Sequence, residues 1–161
     1  MTVGFQLPFD RLVEAVDVWA GQHQRDDIYA QTGDSRYRVR HIDASPWLDP
    51  PQFRARLEGA DAIVAHAGMG TILSALELGK PLLVMPRLAR LAETRSDHQI
   101  ATAREFAARG WLLAAEDETQ LPEKLQELAG FTPSARIGGR ASEELLGCLR
   151  SFTDRVASGR S

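Results

Sequence analysis

The stretch from Ala62 to Pro86 constrains this chain more than any other: an apolar run, a glycine loop, an apolar helix and a second apolar run follow one another without interruption. Ala62 to Ala65 suits a buried parallel strand, and Pro81-Leu82-Leu83-Val84-Met85-Pro86 supplies the next. Between them, Gly68 and Gly70 let the backbone bend sharply and approach a ligand with no Cβ in the way. Thr71 to Leu78, stopped by Gly79, then forms a helix whose first N–H groups lack intrahelical partners and whose dipole favours an anion at that end. Strand, crossover helix and strand make one βαβ unit, and such units place ligands at the carboxyl ends of their strands. The stretch therefore predicts a phosphate cradle, with His66 at the strand end as a further donor.

Two common phosphate loops do not account for it. Gly68-Met69-Gly70 opens like a dinucleotide fingerprint, but Leu73 stands where the third glycine would fall. Met85-Pro86-Arg87 also stands where an acidic residue would end the following strand. In a Walker loop the lysine precedes the helix, whereas Lys80 follows it. Two glycines alone leave a plain strand-to-helix turn as the alternative.

Short strands and helices alternate along the rest of the chain, the pattern of a parallel α/β sheet. Strands are predicted at Thr2 to Gln6, Asp27 to Gln31, Tyr37 to Ile42 and Trp111 to Ala115. Phe9, Leu12, Val13 and Val16 recur at helical spacing from Pro8 to about Trp19. Further helices are expected over Gln52 to Glu58, Asp97 to Arg109 and Glu118 to Leu128, with a polar loop from Arg87 to Arg95. Residues 1–130 thus read as one ligand-binding domain, and residues 131–161 as a linker and a C-terminal helix. Gly138-Gly139 forms the joint, and Leu145, Leu149, Phe152 and Val156 share one face of that helix, which either docks on a partner or packs back on its own domain.

The chain has 161 residues, 43% hydrophobic and 25% charged, as fits one globular domain with its own core. A net charge of −3, with no basic stripe interleaved with aromatics, predicts no nucleic-acid partner. With no apolar run of about 18 residues and no basic, apolar leader, the chain is expected in the cytoplasm. The single cysteine, Cys148, is read as an apolar filler. No cluster of His and carboxylates near the glycine loop offers hard-cation ligands, so no metal or other cofactor is expected.

His66-Ala67-Gly68-Met69-Gly70-Thr71, Gly79-Lys80-Pro81, Pro86-Arg87 and Asp97-His98-Gln99 together resemble the C-terminal nucleotide-sugar domain of family-28 glycosyltransferases. Val3-Gly4, Pro8-Phe9-Asp10-Arg11-Leu12-Val13 and Gln31-Thr32-Gly33 extend the likeness to small stand-alone members, over roughly residues 2 to 128. Those members are subunits of two-component bacterial exopolysaccharide glycosyltransferases. They are similar to the catalytic subunit of the eukaryotic enzyme that adds the second N-acetylglucosamine to a dolichol-linked oligosaccharide. The resemblance implies a single Rossmann-like parallel-sheet domain, equivalent to the donor-binding half of a GT-B glycosyltransferase. It implies transfer of a hexose or hexuronate from a UDP-sugar to a lipid-linked saccharide acceptor without a metal. The general base and membrane anchor would lie on a Rossmann-like acceptor-binding partner that recruits this chain to the inner face of the membrane. A nucleotide-sugar epimerase half and a non-catalytic binding module are the competing readings.

On that resemblance the diphosphate falls to His66, Gly68, Met69, Gly70 and Thr71, and the donor sugar to Asp97, His98 and Gln99. Ser96 and Gln99 also have the spacing of a capping box. Gln31 and Gly33 end a strand beside the same crevice. Arg87 is assigned to a phosphate or sugar carboxylate, against the alternative of a solvated loop arginine. Two departures stand out. Ser74 occupies the position where many relatives hold ribose with glutamate, with Glu77 one turn further on, and Phe5 replaces a frequent threonine.

Overall fold

The computed structural model describes residues 1–5 and 7–137, with Gly147, Arg150 and Ser151. The predicted joint at Gly138-Gly139, Cys148 and the face of Leu145, Leu149, Phe152 and Val156 lie outside the described residues. The elements run α1 (Asp10–Gln22), β1 (Tyr29–Gln31), β2 (Asp43–Ser45), α2 (Pro50–Gly59), β3 (Ile63–His66), α3 (Met69–Leu78), β4 (Leu82–Met85), α4 (His98–Ala108), β5 (Leu113–Ala114) and α5 (Leu121–Leu128).

Among the described residues every strand pair is parallel. β1 pairs with β2, and β3 with β4 and then β5, in the register His66 to Met85 and Leu83 to Leu113. Thr2 bridges Gln31 on one side and Ala65 on the other, which joins the two groups into one sheet. The predicted first strand thus shrinks to its start, because Gly4 turns into the left-handed region (φ +75°) where a strand cannot continue.

Helices cover both faces. On one, Ile72, Ala75 and Leu76 of α3 pack with Leu57, Ala103, Phe106 and Leu82. On the other, Phe9, Leu12, Val13 and Val16 pack with Leu83, Leu121 and Leu125. Burying a side chain such as Ile72 or Leu76 contributes about 1.5–3 kcal/mol, and both are fully buried. Central strands covered on both faces have no solvent side, which is why β4 reads Leu-Leu-Val-Met without alternation.

The strand predicted at Tyr37 to Ile42 does not form, and β2 begins after it, at Asp43. The cause is Asp17 on α1, which is fully buried. Its carboxylate accepts the Tyr37 hydroxyl (3.0 Å) and the N–H groups of Arg40 (3.0 Å), His41 (2.8 Å) and Ile42 (3.2 Å). Those donors are spent on a side chain and cannot join a ladder. They hold the carboxyl below its usual range despite its burial. The loop from Arg87 to Arg95 is not wholly solvated either, for Arg87 and Glu93 are buried and a 3-10 turn spans Ala89–Leu91.

Candidate functional site

The site is built at the carboxyl end of β3. Gly68 donates its N–H to the carbonyl of His66 (2.8 Å), closing a tight turn, and α3 starts at the next residue. Gly68 is the N-cap and has no side chain to offer, and among the described residues no side chain caps the first-turn N–H groups. The helix end therefore presents free donors and a positive dipole. At the far end, Gly79 caps α3 in the left-handed conformation (φ +65°) and turns the chain into β4.

Gly70 lies open: a Cβ there would meet no atom within 4 Å. Gly68 and Gly4 are the opposite case. A Cβ on Gly4 would lie 2.5 Å from Cε1 of His66, and one on Gly68 would collide with the same ring. The imidazole is thus seated between two glycines on neighbouring loops. Gly33 (φ +56°) continues this floor, since a Cβ there would lie 3.3 Å from the Gly4 carbonyl and 3.6 Å from the Trp47 ring.

Burial first, and then the charge of Arg87, push the His66 pKa down to about 4. The ring is therefore neutral at neutral pH, with one N–H to give and one lone pair to receive. Among the described residues its buried Nδ1 has no hydrogen-bond partner. A neutral imidazole beside uncapped helix N–H groups suits an anion that needs hydrogen bonds without a proton being transferred to it.

The remaining predicted residues divide by how they are held. Thr71 is buried and Met69 half-buried against the core. The Ser74 hydroxyl donates to the Gly70 carbonyl (2.9 Å), one turn back in its own helix. Gln31 is buried, and its Oε1 accepts the Thr2 hydroxyl (3.0 Å). At the start of α4, Asp97 Oδ1 accepts the Ala89 N–H (2.8 Å), while the exposed His98 pairs through Nδ1 with the Ser96 hydroxyl (2.9 Å). Gln99 is buried and its Oε1 accepts the Arg87 N–H (3.1 Å), so the capping box with Ser96 is not made. Arg87 is buried, its guanidinium turned onto backbone carbonyls. Gly4 and Glu93 are residues whose part the sequence reading missed. Of the two, Gly4 alone carried a visible signal, in the Val3-Gly4 pair that contributes to the family likeness.

Two hollows open at opposite ends of the sheet. One of about 230 Å³ opens between α4 and the ends of β4 and β5, lined by Pro86, Leu88, Arg90, Ile100, Arg104 and Asp117. A larger one, about 470 Å³, lies around Met1, Trp19, Tyr29 and Leu128, at the amino ends of the strands. The larger hollow is away from the glycine loop, so volume alone does not mark the site.

A doubly covered parallel sheet with this glycine turn at its carboxyl edge is a Rossmann-like domain, the fold of GT-B C-terminal domains. The model of the glycosyltransferase family 28 C-terminal domain matches residues 2–134, and the chain belongs to that family. Among solved structures, it is similar to the glycotransferase of kitacinnamycin, at 19% identity and a TM-score of 0.58 over 94% of this chain and 37% of that one. It is similar to MurG of Acinetobacter baumannii, at 22% identity and a TM-score of 0.57 over 80% of this chain and 39% of that one. It also matches ALG13, at 19% identity and a TM-score of 0.57 over 82% of this chain and 87% of that one. The chain therefore spans well under half of the first two proteins and most of the third. At these identities the likeness is one of fold. No curated protein matches the sequence significantly.

Proposed function

We propose that this chain is the donor-binding catalytic subunit of a UDP-sugar-dependent glycosyltransferase that moves a hexose or hexuronate onto a lipid-linked acceptor in exopolysaccharide synthesis. The observation that carries this reading is the uncapped N-terminus of α3, with neutral His66 beside it and open space at Gly70. Membership of family 28 supports it.

Departure of UDP leaves negative charge on the diphosphate. Backbone N–H groups of Met69, Gly70 and Thr71, the α3 dipole and the His66 N–H are the groups that stabilise it, with no metal assigned to the step. Asp97, His98 and Gln99, at the start of α4, take the sugar. Deprotonation of the acceptor hydroxyl needs a base, which we assign to an acceptor-binding partner of Rossmann-like fold anchored in the membrane. In this reading the membrane attachment belongs to that partner; among the described residues no helix is long and apolar enough to cross a membrane.

The test is turnover of UDP-sugars on lipid-linked acceptor, with membranes from cells that do or do not express the partner. Transfer is expected only with both components. Efficient transfer by the purified chain alone would refute the two-component reading.

A further inference from the structure

We propose that Arg87 is a positioning residue, one that clamps together the two loops walling the crevice and holds a fixed positive charge behind the diphosphate cradle without touching the ligand. The proposal rests on the cradle reading above.

Arg87 follows β4 directly and is 3% exposed. Its Nη1 donates to the carbonyls of Pro8 (2.9 Å) and Glu93 (3.0 Å), and its Nη2 to that of Val3 (2.7 Å). The guanidinium lies 4.7 Å from the centre of the Phe9 ring. Val3 precedes Gly4, the residue against which His66 packs. Glu93 belongs to the loop that ends at Asp97, the N-cap of α4, and the Arg87 N–H itself donates to Oε1 of Gln99 in the first turn of that helix (3.1 Å). One residue thus joins the first loop, the loop after β4 and the start of α4. A second layer braces the joint: the Glu93 carboxylate accepts Arg11 Nη2 (2.9 Å) and the Leu88 N–H (2.9 Å), and Arg11 also pairs with Glu118 (2.7 Å).

None of the hydrogen bonds of the Arg87 guanidinium goes to a carboxylate. Carbonyl dipoles solvate a cation without cancelling its charge. The Glu93 carboxylate that attracts Arg87 through space is itself ion-paired with Arg11, so the guanidinium's field still reaches His66. A planar fork can bridge three carbonyls, whereas a lysine ammonium carries the same charge at a single point.

The experiment uses Arg87→Gln and Arg87→Lys with ligand-free and ligand-bound readouts. His66 is titrated by NMR in the free protein, where the charged or titratable groups acting on it are Arg87, after β4, and His98, on α4. Removing a neighbouring cation favours the protonated ring. Arg87→Gln is therefore expected to raise the His66 pKa from about 4 and to weaken UDP at least tenfold more than uncharged uridine. Arg87→Lys is expected to keep the low titration while amides of Gly4 and Leu88 exchange faster with solvent. An unmoved His66 titration or equal losses for UDP and uridine in Arg87→Gln would overturn the charge role. If that variant does not fold, Arg87→Lys decides: His66 titrating near its ordinary value, or unchanged amide exchange, would overturn the proposal. Failure of UDP to bind the unaltered protein would refute the cradle reading instead, and the ligand-free readouts would still judge Arg87.

Discussion

His66 stores a pH dependence in the fold. Its pKa is lowered to about 4 in the native state against 6.5 when unfolded. Between those values the unfolded chain binds the extra proton, so stability is complete above about pH 6.5 and falls as pH drops toward 4. The loss is of order 3 kcal/mol. Chemical denaturation across that range should show it, and His66→Asn should flatten the curve. Gln99 carries a different prediction. Alanine there leaves the Arg87 N–H buried and unpaired, at about 1–3 kcal/mol, a fall of several degrees in Tm. The proposed sugar contact adds a greater loss of affinity for UDP-sugar than for UDP, and equal losses would leave Gln99 a scaffold residue. The placement of His66 and the loop glycines between β3 and α3 was legible because strand, glycine and helix lie together in sequence. Arg87 and Glu93 were not. The sequence assigns Arg87 to a ligand anion and leaves Glu93 in a polar loop, whereas Arg87 is held by the carbonyls of Val3 and Pro8 and Glu93 by Arg11, all far away along the chain.

At the scale of elements, α3 makes the sharpest claim. Because a Cβ on Gly70 meets nothing within 4 Å, Gly70→Val should leave the circular dichroism spectrum and Tm near those of the parent, while its side chain fills the space before the helix end. UDP binding should be lost. Retained affinity would place the diphosphate elsewhere. Gly68→Ala is the contrasting case, since its methyl would collide with the His66 ring, and a measurable fall in Tm is expected alongside the loss of binding. The helices were legible from apolar spacing, to within a few residues at their ends. The missing strand at Tyr37 to Ile42 was not, because one charged residue on α1, Asp17, reads as solvent-facing until the chain folds back over it.

At the scale of the molecule, the alternation of strand and helix made the parallel sheet and its two-sided core readable in advance. What the residues could not supply was how the first strand ends, since that depends on Gly4 lying against His66 across the sheet. The carboxyl edge of this sheet is proposed as a diphosphate site served by backbone donors and His66. Calorimetric titration of UDP into the protein in the presence of a chelator tests it most directly. Binding that persists without divalent metal and disappears in Gly70→Val is the predicted result, whereas binding only with magnesium or manganese, or none at all, would contradict it.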